Sequence, residues 1–169
     1  MTISDAAESA PGAVAARQLG LAHEVISYGR VGSVAEAAAA RGVDVADVVK
    51  TLVVRIPPEE YVLVLVPGDR SLAWPKLRAI LGSNRCALPD AATALSVTGY
   101  ERGTITPLGL NLSVIADERI RGRRITLGSG RHGVAIGLAA DDLIAAFDCA
   151  VADVTADGQR AGAEGADPS

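Results

Sequence analysis

Two stretches are apolar almost without interruption: Thr51 to Ile56 and Tyr61 to Val66, separated by Pro57-Pro58 and two glutamates. Runs of this length with a proline turn between them predict two strands in hairpin order. Continuous apolarity, in place of alternation, predicts a sheet covered on both faces. Shorter runs predict further strands at Ala22 to Tyr28, Ser113 to Ala116, Arg124 to Leu127 and Val134 to Leu138. Helical signals lie between them. Ala13 to Leu19 stops at Gly20. Ser33-Val34-Ala35-Glu36 is a capping box that leads through Ala37 to Arg41 and ends at Gly42. Asp44 heads a short helix through Val49. Pro75 to Leu81 has proline in its first turn and glycine after its last. Asp90 to Leu95 and Asp141 to Phe147 complete the set, the last with two acids at its N-terminus. Strands follow one another as well as alternating with short helices. The fold class is therefore α+β, a mixed, curved β-sheet flanked by short helices.

Composition narrows this. At 169 residues the chain is long enough for one domain with a substantial core. Half of it is apolar but only 3% is aromatic, so that core is built from Val, Leu, Ile and Ala. Residues 12–154 are expected to form one domain, with a flexible N-terminus over 1–11. The Ala-, Gly- and acid-rich stretch 155–169 is expected to be a disordered tail. No apolar run is long enough to span a bilayer, and the N-terminus lacks the pattern of a secretory signal, so a cytoplasmic protein is expected. Cys86 and Cys149 suit reduced thiols in such a compartment better than a disulfide scaffold. Two cysteines and two histidines, none closely spaced, do not make a structural zinc site.

The net charge of −4 argues against a general nucleic-acid coat protein. Its distribution is uneven. Residues 119–140 hold Arg119, Arg121, Arg123, Arg124 and Arg131 and no acid. Such a patch is either a solvated turn between strands or a dock for phosphates.

Candidate chemistry is sparse. No nucleophile elbow and no phosphate-binding P-loop is present. Lys50 stands out, in Asp47-Val48-Val49-Lys50-Thr51-Leu52-Val53-Val54. A charge set into an apolar, β-branched run either marks the start of a strand and lifts its ammonium into water, or is used. The segment Gly99 to Gly109 holds three glycines and a proline in eleven residues, which is not regular structure. Within it, Gly103-Thr104-Ile105-Thr106-Pro107 can turn backbone groups toward a ligand while the proline limits its freedom. Gly128-Ser129-Gly130-Arg131-His132-Gly133 reads as a hairpin loop.

Taken in order, these segments resemble the YbaK-like prolyl-tRNA editing domain, a family of aminoacyl-tRNA deacylases. The resemblance runs from about Leu21 to Asp153. It rests on Lys50-Thr51 opening a strand, the apolar strand Tyr61 to Val66 with its loop and the helix from Pro75, and Thr98-Gly99-Tyr100. It continues with the Gly-x-x-x-Pro loop Gly103 to Pro107, the strand ending at Asp117, and Gly128 with Gly130 before the last strand. A tyrosine often found in the family's first strand falls at Tyr28. The resemblance implies the prolyl-tRNA synthetase editing-domain fold and hydrolysis of a mischarged tRNA, Cys-tRNA(Pro) or Ala-tRNA(Pro), in trans to a prolyl-tRNA synthetase. The partners it implies are the acceptor end of that tRNA and the synthetase, with no cofactor, metal or membrane. Non-catalytic recognition of tRNA or synthetase, and hydrolysis of small activated esters, are the alternatives. The implied catalytic residue is Lys50. The implied substrate contacts are Tyr28, Thr51, Gly99, Tyr100, Gly103, Thr104, Ile105, Thr106, Pro107 and Gly130. Some members carry an acid in the last strand near the pocket. Ala135 stands there in this chain, so the amino-acid specificity does not carry over.

Overall fold

The structure, a computed structural model, describes residues 3–158. Helices α1 (Ile3–Glu8) and α2 (Pro11–Gln18) precede strand β1 (Glu24–Ser27) and helix α3 (Val34–Arg41). The hairpin β2 (Val49–Ile56) and β3 (Glu60–Pro67) follows, then β4 (Arg70–Leu72), α4 (Trp74–Leu81) and α5 (Ala91–Thr98). The C-terminal half holds β5 (Ser113–Asp117), β6 (Arg124–Gly128), β7 (Val134–Ala139), α6 (Ala140–Phe147), β8 (Ala150–Ala152) and β9 (Thr155–Asp157).

Both parallel and antiparallel ladders occur, as a mixed α+β fold requires. β2 pairs antiparallel with β3, and β3 and β5 continue in parallel to β8. β1, β7 and β6 form an antiparallel sheet, and β4 pairs with β9. A parallel bridge between Val48 and Thr126 joins the start of β2 to β6.

The β2–β3 hairpin is apolar on both faces because both faces are covered. Val49, Val53, Leu63 and Leu65 belong to one buried cluster, with Ile125, Leu127 and Ile136. Leu52, Val54, Val62, Val64 and Val66 belong to another, with Leu77 and Cys86. Successive strand side chains point to opposite faces, so this split follows from the pleat.

The helix caps follow the sequence closely. Ser33 accepts a hydrogen bond from the Glu36 amide at 3.1 Å, and the Glu36 carboxylate accepts one from the Gly32 amide at 2.6 Å. Asp90 caps α5 through the Thr93 amide at 2.7 Å. The expected helix from Asp44 is only a 3-10 turn over Val45–Asp47, with no side-chain cap, because the chain must enter β2 at Val49.

Both expected tail boundaries are corrected. Residues 3–8 are helical, and Ala7 and Ala10 are buried in the core. Their small side chains let α1 and α2 sit close, and the Gly12 amide donates to the carbonyl of Ser129 at 2.7 Å. At the other end Thr155–Asp157 is a strand, held because β4 offers it an edge. The remainder of the expected disordered tail, 159–169, lies outside the described residues.

Candidate active site

One cavity of about 610 Å³ opens where α3, the start of β2 and two loops meet. The segment after β1 supplies Tyr28 and Arg30, α3 supplies Val34, Ala37 and Arg41, and β2 supplies Val49 and Lys50. Gly103 and Ile105 come from the loop after α5, and Gly128, His132 and Gly133 from the β6–β7 connection. The capping box fixes where α3 begins, and so which residues of its last turn reach this space.

Lys50 lines the cavity at the first turn of β2 and is partly buried. Its Nζ donates to the backbone carbonyl of Arg70 at 3.0 Å. That carbonyl belongs to β4, and β4 is itself pinned by β9. The Arg70 side chain adds to this, with Nε donating to Thr155 Oγ1 at 2.6 Å and Nη1 to Asp157 at 3.1 Å. The ammonium is thus placed by a backbone acceptor on an anchored strand.

The loop Gly99 to Gly109 is rigid for reasons internal to it. The Tyr100 hydroxyl donates to the carbonyl of Leu108 at 2.7 Å. Burial pushes that phenol's pKa up, so it remains a donor. Thr98 accepts from the Tyr100 amide at 3.0 Å, Thr104 Oγ1 donates to the Glu101 carbonyl at 2.7 Å, and Thr106 accepts from the Leu108 amide at 3.3 Å. The loop's outer edge rests on the β6–β7 connection, where the Gly130 amide donates to the carbonyl of Thr104 at 2.9 Å. Gly128 permits this closeness: a Cβ there would stand 2.6 Å from the Thr104 carbonyl oxygen and 2.8 Å from that of Ile105. A Cβ on Gly130 would meet the Tyr100 ring at 2.7 Å.

The expected site residues therefore divide. Lys50, Tyr28, Gly103 and Ile105 come together around the cavity. Thr104, Thr106, Pro107 and Tyr100 are buried within or beneath the loop and support it without lining the cavity. Gly99 is the left-handed cap of α5, and Gly130 is packing space for Tyr100. Thr51 points away from Lys50 across the pleat, fully buried, and its hydroxyl has no partner among the described residues. Ala135, expected from the family resemblance to stand near the pocket, is also fully buried and lies off the cavity wall.

Sequence reading missed Arg41, Arg30 and His132. Arg41 closes a helix, where an arginine ordinarily complements the dipole. His132 sits in a glycine-rich loop that a hairpin explains. It pairs with Glu101 at 3.0 Å at the cavity mouth, and both side chains are exposed.

The run of arginines is largely neutralised by acids, most of them remote in sequence. Arg119 pairs with Asp117 and Asp153, Arg123 with Asp47 at 2.6 Å, and Arg124 with Glu24 at 3.1 Å. Arg131 caps α1 by donating to the carbonyl of Ala6 at 2.7 Å and to Ser9. Arg121 is exposed. Neither cysteine is placed for nucleophilic work. Cys86 is buried in the second core cluster. Burial pushes the Cys149 thiol up to about 11, so it is protonated at neutral pH.

Comparison with known proteins agrees with this architecture. The sequence profile of the aminoacyl-tRNA editing domain matches residues 29–146. The chain belongs to that family. Proline--tRNA ligase of Thermosipho melanesiensis is 37% identical over 101 residues, covering 58% of this chain and 17% of the ligase. That of Geotalea daltonii is 33% identical over 101 residues, covering 60% and 18%. The chain thus spans under a fifth of the length of these relatives. Among solved structures, hypothetical protein APE2540 superposes with a TM-score of 0.78 at 28% identity, over 83% of this chain and 96% of that one. A structure described as a candidate trans-editing enzyme for prolyl tRNA synthetase superposes with a TM-score of 0.79 at 22% identity, over 92% and 99%, which speaks to the fold. Among the described residues no helix is long and apolar enough to cross a membrane.

Proposed function

We propose that this chain is an aminoacyl-tRNA deacylase acting in trans on tRNA(Pro) charged with cysteine or alanine. The observation that carries the reading is the placement of Lys50, anchored on the Arg70 carbonyl, in a cavity also lined by the loop residues Gly103 and Ile105. An aminoacyl ester is already activated, so its hydrolysis needs orientation and charge stabilisation more than a protein nucleophile. Water, positioned by a neighbouring group of the substrate itself, attacks the ester carbonyl and gives up a proton. Negative charge gathers on the carbonyl oxygen, and the Lys50 ammonium stabilises it as a compact point charge. The carbon–oxygen bond to the ribose then breaks. Hydrolysis releases the free amino acid and restores the terminal hydroxyl, which takes a proton.

The specificity reading follows from the same walls. Val49, Ile105 and Ala37 give the lining an apolar part, and no carboxylate lines the cavity among the described residues. A wall of this kind suits a small, uncharged side chain. The deciding experiment is a deacylation assay of the purified protein on tRNA(Pro) charged separately with cysteine, alanine, serine and proline. Release of cysteine or alanine well above that of proline is expected. A protein that binds these tRNAs without releasing any amino acid is a recognition module. One that cleaves small aminoacyl esters and ignores the tRNAs is a general esterase. A cytoplasmic location, with prolyl-tRNA synthetase as the partner whose errors are corrected, belongs to the same proposal.

A further inference from the structure

The cavity holds more positive charge than one oxyanion uses. Arg30 is exposed at its rim, but Arg41 is partly buried in its wall. Two neutral hydroxyls fix its guanidinium: Nη1 donates to Thr126 Oγ1 at 3.1 Å and Nη2 to Tyr28 Oη at 3.2 Å. The guanidinium carbon lies 5.1 Å from the centroid of the Tyr28 ring, within cation–π range. Nε is buried and has no acceptor among the described residues. Several other arginines have acidic partners, as at Arg70, Arg119, Arg123 and Arg124. No carboxylate pairs with Arg41 among the described residues. A guanidinium partly withdrawn from water, oriented by neutral groups and with one N–H unmatched, has no carboxylate among the described residues to balance its charge.

We infer that Arg41 is an anion-binding residue of the cavity and that its ligand is the phosphate of a substrate's terminal nucleotide. The inference rests on the deacylase reading for the choice of anion. In an aminoacyl-tRNA the amino acid's carboxylate has become the ester, so the anions left at that end are phosphates. The planar guanidinium suits them, because its N–H donors match phosphate oxygens as a fork. Tyr28 is then a positioning residue, its ring under the guanidinium and its hydroxyl setting the angle. Lys50, on the Arg70 carbonyl, is left for the ester.

The test uses ligands without an ester. Adenosine 5′-monophosphate, adenosine and inorganic phosphate are titrated into the full chain, and amide chemical shifts are followed. The nucleotide should bind about tenfold more tightly than adenosine, the increment of one charge-assisted hydrogen-bond pair. Arg41→Gln should erase that preference, Arg41→Lys should keep part of it, and Lys50→Ala should leave it in place. Tyr28→Phe, which retains the ring, should reduce the preference without abolishing it. Equal binding of nucleotide and nucleoside by the unaltered protein overturns the inference, whatever the variants do. So does a preference that survives Arg41→Gln, or one lost equally in Lys50→Ala. Inorganic phosphate binding as tightly as the nucleotide would make this a free-phosphate site and overturn the nucleotide assignment. Because no ester is present, an Arg41-dependent preference in a protein that deacylates nothing sinks the deacylase reading alone. Deacylation without the preference sinks this inference alone.

Discussion

At the scale of the residue, Lys50 and Cys149 make opposite cases. Under the proposed reading, Lys50→Ala removes the ammonium that would face the ester, together with its hydrogen bond to the Arg70 carbonyl. Loss of a positioned charge at a developing oxyanion costs on the order of a hundredfold or more in rate. Loss of one hydrogen bond costs about 1 kcal/mol in stability. The expected variant is folded, melts within a few degrees of the parent and is inactive on mischarged tRNA. Deacylation at the parent rate, measured on the same tRNA preparation, would remove Lys50 from the chemistry. For Cys149 the high thiol pKa predicts slow alkylation. Iodoacetamide labelling at pH 7.5 should lag far behind that of a free thiol and accelerate toward pH 11, and Cys149→Ala should deacylate normally. Rapid labelling at neutral pH coupled to inactivation would instead indicate a covalent route. The lysine was legible in the sequence because a charge interrupts an apolar pattern. Arg41 was not, since its unmatched Nε exists only once Tyr28 and Thr126 have come together around it.

At the scale of the element, the loop after α5 has two jobs that its sequence does not separate. Glycines, threonines and a proline announce constraint, yet hydrogen bonds decide which of them face inward. Thr104 and Thr106 spend their hydroxyls on their own backbone, while Gly103 and Ile105 reach the cavity. Gly103 has φ +91°, and a Cβ there would meet only His132 Cε1, at 3.9 Å. The burden of Gly103→Ala is therefore backbone strain more than collision, about 1–3 kcal/mol. Turnover of every charged tRNA should fall together as the wall shifts. Ile105 is 3% exposed and belongs to the core as well as the cavity. Ile105→Ala should destabilise by about 2–4 kcal/mol and enlarge the pocket. Its ranking of Cys-, Ala-, Ser- and Pro-charged tRNA(Pro) should flatten, and Ile105→Val should lie between. An unchanged ranking in both variants, read from initial rates, would locate specificity outside this loop. The hairpin β2–β3 shows the converse. Its apolar runs fixed both strands from sequence alone, because covering both faces leaves no other use for such residues.

At the scale of the whole molecule, the C-terminal strands bear on the site through charge. Fully buried Asp117 accepts from the Arg119 guanidinium at 3.2 Å, the Val154 amide at 3.2 Å and the Thr155 hydroxyl at 2.9 Å. Arg119 reaches on to Asp153 at 2.8 Å, which also accepts from Lys76 at 2.8 Å. Thr155 in turn holds Arg70, whose carbonyl holds Lys50. None of this was visible in sequence, where 155–169 is Ala-, Gly- and acid-rich and the arginines read equally as a solvated turn or a phosphate dock. Acids far away in the chain claim them first. The Lys76 and Arg119 hydrogen bonds hold the Asp153 carboxyl down at about 2, against an ordinary 3.8. A carboxyl depressed in the folded state stabilises it above the ordinary value, and that contribution drains away as pH falls from about 4 to about 2. Asp153 is half-exposed, so solvent screening keeps the effect modest. Thermal melting of the parent and Asp153→Asn should differ at pH 5, with the parent higher, and the two should converge as pH approaches 2. Curves that run parallel across that window would show that the clasp over β8 and β9 does not depend on this carboxylate's charge. The strand that places Lys50 would then owe its position to the β4–β9 ladder and to Asp117, Thr155 and Asp157.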